Sequence, residues 1–139
     1  MPPYFFYGTL RDMDVLRAVL RRPIDCFTIS EALADGYRAA PVVGSDYSVL
    51  VPDASHVSAG IVVFGLALRD IRRLVWFEGK DYTTASIDVL LIDSEQEVTA
   101  NLYAPAKNVR TEKGVWDFDA WRHRHKRKFI AMIRRGNPA

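Results

Sequence analysis

The sequence is poor in the residues that build disulfide-stapled, metal-dependent or membrane-spanning proteins. It holds one cysteine, Cys26, so no internal disulfide can form, and a reducing compartment suits the chain. It holds three histidines. His123 and His125 stand two apart, which on a helix points them in separate directions, and His56 belongs to another segment, so no metal site is expected. No apolar run approaches the roughly 18 residues of a transmembrane helix. The opening MPPYFFYGTL lacks the basic start and long apolar stretch of a signal peptide. No Walker-type loop and no Gly-x-Gly-x-x-Gly stretch appears, so nucleotide binding has no motif behind it and no cofactor is expected. The net charge is only +2, too mild to argue for nucleic acid.

What is present is an ordinary globular balance, with 49% hydrophobic and 26% charged residues in 139. That length predicts one domain, residues 1–139, with a core that needs no staple, and a soluble, cytoplasmic protein. The aromatic run at 3–8 predicts a first strand stopped by Gly8. Asp12 then caps a helix through Arg22, with Met13, Leu16, Val19 and Leu20 on one face, Arg17, Arg21 and Arg22 outside, and Pro23 as its end. Residues 26–33, 47–51 and 59–68 predict short strands separated by turns at Gly36, Pro41, Gly44 and PDAS (52–55). Gly60 and Gly65 suit a tightly curved sheet.

A second helix is expected over 68–78, closed by Gly79. Strands follow at 82–93, covered on both faces near its end, and at 97–106. The tail from Trp116 to Arg135 predicts an amphipathic helix capped by Asp117 or Asp119, with Phe118, Trp121, Phe129, Met132 and Ile133 as its apolar stripe. Without a regular βαβ rhythm, the order predicts an α+β fold: a small mixed, barrel-like sheet with about three flanking helices.

Two short stretches can carry chemistry. Glu78 follows Trp76 and Phe77 at a helix end, where partial burial and the helix terminus both raise a carboxyl pKa toward the range of a general acid–base group. Position alone favours a solvated last-turn glutamate. In YGTL, Gly8 lies between a strand and a helix, so backbone N–H groups and the helix start can face an anion or a developing oxyanion. Alone, it favours a plain strand-to-helix turn.

Taken together, YGTL near the start and DIRRLVWFEGKDY after several strands resemble the γ-glutamylcyclotransferase-like family, which includes the AIG2-like proteins. Tyr7, Gly8, Thr9 and Leu10 match that family's loop, and Glu78, Gly79 and Tyr82 match its Glu-Gly-x-x-Tyr segment, over residues 4 to about 105. Val75 departs from the pattern, since many members carry an aspartate two or three residues before the glutamate.

The resemblance implies a γ-glutamylcyclotransferase-like barrel that cyclises a small γ-glutamyl amide to 5-oxoproline and releases an amine or amino acid. Glu78 would act as general acid–base, while Tyr7, Gly8, Thr9, Leu10 and Tyr82 would bind substrate. The substrate's own α-amine attacks, so neither serine nor cysteine is required of the protein. Tyr103 is a further wall residue or a core aromatic. Residues 36–58 are a candidate part of the leaving-group pocket.

A non-catalytic module holding a small carboxylate is one alternative, although a carboxylate at position 78 argues against it. An interaction protein using the basic RHRHKRK helix (122–128) is another. That stretch reads as a solvated face, with His125 at the edge of the apolar stripe. Neither a nucleic acid nor a membrane partner is expected. Cys26 beside Phe27 reads as a small buried hydrophobe.

Overall fold

The structure is a computed structural model describing residues 2–137. Five strands close into a barrel in the order β1-β3-β2-β4-β5, with three helices: β1 (Tyr4–Phe6), α1 (Met13–Leu20), β2 (Thr28–Pro41), β3 (Ser48–Phe64), α2 (Leu68–Glu78), β4 (Tyr82–Leu91), β5 (Glu97–Pro105) and α3 (Phe118–Gly136). Neighbouring strands run antiparallel except β1 and β5, whose parallel pairing at Tyr4 and Asn101 closes the ring. Among the described residues no helix is long and apolar enough to cross a membrane.

Strand alternation sorts the aromatics of β1 into two cores. Phe5 and Tyr7 enter the barrel, with Val62, Ile87, Val89 and Leu102. Tyr4 and Phe6 point outward, where Leu16, Leu20, Leu74, Trp121 and Ile133 of the three helices cover them. The barrel interior is narrow enough to be lined partly by Ala32, Ala34 and Ala100. Gly60 fits that economy. A Cβ there would press into the carbonyl oxygen of Phe6 and lie 2.6 Å from Cε1 of Phe5, itself fully buried. Gly60→Ala is therefore expected to cost about 2–3 kcal/mol in urea unfolding, and a loss below roughly 0.5 kcal/mol would show that the ring can move aside.

The three short segments expected between 26 and 68 are two long strands, β2 and β3, forming one hairpin around the turn at 42–47. Gly36 and PDAS are not chain reversals. The register steps from Asp35 opposite Val57 to Tyr37 opposite Pro52, so residues 53–56 bulge opposite Gly36, whose φ of +82° favours glycine. Asp53 Oδ1 accepts hydrogen bonds from Ser55 N–H (3.1 Å) and Ser55 Oγ–H (2.7 Å), which is the turn chemistry read in the sequence, placed inside a ladder.

Helix α1 begins as expected, with Asp12 Oδ1 accepting from the N–H groups of Asp14 (2.9 Å) and Val15 (3.1 Å). It ends at Leu20, earlier than Arg22, because Arg21 turns left-handed (φ 55°). Arg22 is thereby swung inward, and its Nη1 lies 2.9 Å from Oδ2 of the fully buried Asp70. Cys26 is exposed rather than buried; it lies in the 3-10 turn Ile24–Cys26, whose Ile24 packs on the core while its neighbour Phe27 is buried in it. Near the end of β4, Leu90 and Ile92 remain exposed, because no helix covers that outer face of the barrel.

Candidate active site

The site forms where β1, α2 and α3 converge. Past Tyr7 the chain leaves the barrel at Gly8 and makes a single 3-10 turn, Thr9–Arg11, before Asp12 starts α1. The N–H groups of Arg11 and Asp12 bond to Gly8 O and Thr9 O, both at 3.1 Å. Those of Thr9 and Leu10 have no hydrogen-bond partner among the described residues, as expected for the first donors of a helical turn. The donor loop is this turn. Of the first donors of α1, the N–H groups of Asp14 and Val15 are already taken by the Asp12 carboxylate, which reduces the expected contribution of the helix start. The φ of Gly8 is −110°, outside the left-handed region, and a Cβ there would meet only Ser48 Oγ at 3.7 Å. What glycine provides at this position is an open wall beside Ser48.

Glu78 is the last residue of α2. Gly79 ends the helix with φ +84°, a conformation that disfavours any side chain, and its N–H closes on Val75 O at 2.9 Å. Aromatic neighbours Trp76 and Phe77 share the wall with Glu78. Burial raises the Glu78 carboxyl from 4.5 to about 7. No hydrogen bond or ion pair satisfies it among the described residues.

Tyr7, Gly8, Thr9, Leu10, Glu78 and Tyr82, the six residues expected to form a site, all line one cavity of about 500 Å³. Tyr103 lines it too, while also stacking on Tyr4 with ring centroids 5.4 Å apart, so wall and core aromatic are both correct descriptions. The tyrosines sense Glu78 directly. Burial, then the Glu78 charge, pushes the Tyr7 hydroxyl well above its ordinary range, and the same two causes move Tyr82 up to about 12. Burial raises Tyr103 as well, with Tyr4 beside it. All three hydroxyls therefore remain protonated donors; Tyr7 donates to Tyr103 O at 3.2 Å.

Sequence reasoning left two parts of this cavity unnamed: which residues of 36–58 reach it, and the face of α3. Ser48, at the start of β3, contributes a buried Oγ with no hydrogen-bond partner among the described residues. Of residues 36–58, only Ser48 and Tyr47 reach the wall. The opposite wall is α3, through Phe129, Met132, Ile133 and Gly136. Periodicity marked the first three as a core stripe but could not say that they face a cavity. Phe129 is held edge-on against Phe77 (5.9 Å) and Trp121 (5.2 Å), which joins α3 to α2.

The basic stretch of α3 is not simply a solvated face. Arg122 Nε and Lys126 Nζ lie 3.0 and 2.8 Å from Oδ2 of buried Asp12, and Lys126 also reaches Asp14 at 2.8 Å. Part of its charge thus fastens α3 to the residue that caps α1, next to the donor loop. His125 sits at the edge of the stripe, 3.6 Å from Asp46.

A profile of the family described as gamma-glutamyl cyclotransferase, AIG2-like, matches residues 4–122. AIG2-like protein D of Arabidopsis thaliana is 32% identical over 136 residues, covering 96% of this chain and 88% of that protein. AIG2-like protein B of the same plant is 26% identical over 140 residues, with 96% and 80% covered. Among solved structures, a solution structure of an Arabidopsis thaliana protein superposes with a TM-score of 0.68 at 25% identity, over 95% of this chain and 87% of the other. A structure titled gamma-glutamyl cyclotransferase superposes at 0.64 and 13% identity, over 98% and 79%, a likeness of fold alone.

Proposed function

Because the chain belongs to the gamma-glutamyl cyclotransferase, AIG2-like family, we propose that its cavity binds a small γ-glutamyl amide and cyclises it to 5-oxoproline, releasing the amine. The observation that carries this reading is Glu78, the one carboxylic acid in the wall among the described residues, its pKa raised to about 7 in the same cavity as unpaired backbone donors.

In this scheme the N–H groups of Thr9 and Leu10, with the Ser48 hydroxyl, orient the glutamyl group and polarise its side-chain carbonyl. Ionised Glu78 removes a proton from the substrate's α-ammonium. The freed amine attacks the side-chain carbonyl carbon, a carbon–nitrogen bond forms, and the oxyanion is held by the donors. As the tetrahedral intermediate collapses, the original amide carbon–nitrogen bond breaks and Glu78 returns a proton to the leaving nitrogen. The attacking nitrogen loses two protons in becoming a lactam N–H, and the leaving nitrogen gains two in becoming an ammonium, so the reaction needs no external acid. A carboxyl near pKa 7 can take and give protons with similar ease; one at 4.5 would be a weak base toward the substrate's ammonium. The same proposal sets the activity in the cytoplasm, where the exposed lone Cys26 stays reduced.

The test is 5-oxoproline release by the purified protein from γ-glutamylamines, γ-glutamyl amino acids and glutathione. With a substrate that turns over, kcat/KM is expected to fall about tenfold per pH unit below an acid limb near pH 7, because the base must be ionised. A limb near 4.5 would mean a solvated carboxyl and would count against Glu78. Absence of 5-oxoproline from every substrate would overturn the reaction.

A further inference from the structure

The unpaired donors of the site take their direction from residues further along the chain. The N–H of Thr9 shares a planar peptide with the carbonyl of Gly8, and the N–H of Leu10 shares one with the carbonyl of Thr9. Within a trans peptide the N–H and C=O point opposite ways, so holding the carbonyl aims the donor. Arg11 N–H holds Gly8 O and Asp12 N–H holds Thr9 O, both at 3.1 Å. Whatever fixes Arg11 and Asp12 therefore fixes the two donors.

Both residues are held by α3. The Arg11 guanidinium lies over the Phe118 ring, 4.3 Å from its centroid. The Asp12 carboxylate is buried and divided in its duties. Its Oδ1 caps α1, and its Oδ2 lies 2.8 Å from Lys126 Nζ and 3.0 Å from Arg122 Nε, one helical turn apart on α3. Asp12 and Asp14 raise the Lys126 ammonium above its ordinary value, so it stays charged. A buried carboxylate depends on its cations, and losing one costs it its fixed place. Neither Asp12 nor Lys126 lines the cavity, so any effect on the reaction must pass through the turn.

Granting the cyclotransferase reading, on which this inference rests, we propose that Asp12 and Lys126 are positioning residues for that reaction: their ion pair holds the turn at 8–12 on α3 and so aims the N–H groups of Thr9 and Leu10 at the substrate's side-chain carbonyl.

Lys126→Met keeps an apolar stem and removes the charge, while Arg122 still pairs with Asp12, so the chain is expected to fold. Misaimed donors hold both the ground-state carbonyl and the oxyanion less well. For a γ-glutamyl amide that turns over, kcat/KM should fall about tenfold or more, the loss shared between a raised KM and a lowered kcat. Asp12→Asn keeps an acceptor for the cap and loses the charge, and should show the same shared loss. Lys126→Arg keeps the charge and should recover most of it. A role in stability alone would shrink the active fraction, lowering kcat with KM unchanged. That result, or a Lys126→Met kcat/KM within about twofold of the native protein, would overturn the inference while the reaction stands.

If the native protein releases no 5-oxoproline, the reaction itself fails, and the grip on the turn is judged by amide hydrogen exchange without substrate. The amides of Arg11 and Asp12, which close the turn, should exchange about tenfold faster in Lys126→Met than in the native protein. Faster exchange would uphold the hold of α3 on the turn. Unchanged exchange at these two amides would show that the pair stabilises the fold without holding the turn, and would overturn the inference.

Discussion

Glu78→Gln is expected to lower 5-oxoproline release by about 10²–10⁴-fold while the barrel remains folded. Glutamine keeps the shape of the side chain and can still accept a hydrogen bond, but at neutral pH it neither takes a proton from an ammonium nor gives one to a departing nitrogen. The loss should therefore fall on kcat, with KM changed little, since the donors assigned to the glutamyl group lie on the loop at 8–10 and on Ser48. Retention of most activity would remove Glu78 from the mechanism. Removal of the charge has a second consequence that an inactive but merely damaged variant would not share. The Glu78 carboxyl has an ordinary value of 4.5 when unfolded and about 7 when folded. Below pH 4.5 both states hold the proton and nothing is lost. Between those values the unfolded chain ionises first, so stability falls as pH rises, and above 7 the full cost of the buried charge, on the order of 2–3 kcal/mol, is present. The Gln variant should thus be more stable than the native protein in urea at pH 8 and nearly equal to it at pH 4. Equal stability at both would show that the carboxylate is well solvated, which would weaken its assignment as the acid–base group.

The parts of this site that could be read from the chain are those set by neighbours in sequence. Tyr7 to Leu10 form one strand end and one turn, and Glu78, Gly79 and Tyr82 lie across a single helix end, so local rules and short motifs reached them. Ser48 carries no such mark. Its place depends on β3 pairing with both β1 and β2, and on a bulge at 53–56 that no periodicity announces. Likewise, helical spacing assigned Phe129 and Ile133 to an inward stripe, but what a stripe faces is decided by how α3 crosses α1 and α2. The misread residues share a cause. Arg22 was expected outside and Cys26 inside, and both belong to the connection after α1, where the left-handed Arg21 rotates the chain away from the helical pattern.

Arg22→Met is expected to destabilise the fold by about 3 kcal/mol or more, the cost of leaving a buried carboxylate without its cation. Asp70 is completely buried on the first turn of α2, and its Oδ2 accepts from Ala67 N–H at 2.7 Å as well as lying 2.9 Å from Arg22 Nη1. Arg22 also covers the Phe27 ring, at 4.8 Å. The pair spans the two helices that frame the site. Arg22 follows α1, which continues from the donor loop, and Asp70 opens α2, which ends at Glu78. Asp70→Asn keeps an acceptor for Ala67 N–H and removes the charge, so it should cost less than Arg22→Met. Combining the two should be cheaper than the sum, because the second change removes the charge that the first leaves stranded. Urea denaturation of the single and double variants measures this coupling; additive losses would show two independent contacts. The link to function is positional. Where Arg22→Met remains folded, α2 is freed from α1, and the distance between Glu78 and the loop at 8–10 is no longer set from its far end. The double variant, which restores neutrality without the bridge, should then recover stability more fully than kcat. Equal recovery of both would mean that packing of α2 on Leu16, Leu20 and Phe129, rather than the ion pair, holds the acid–base group in place.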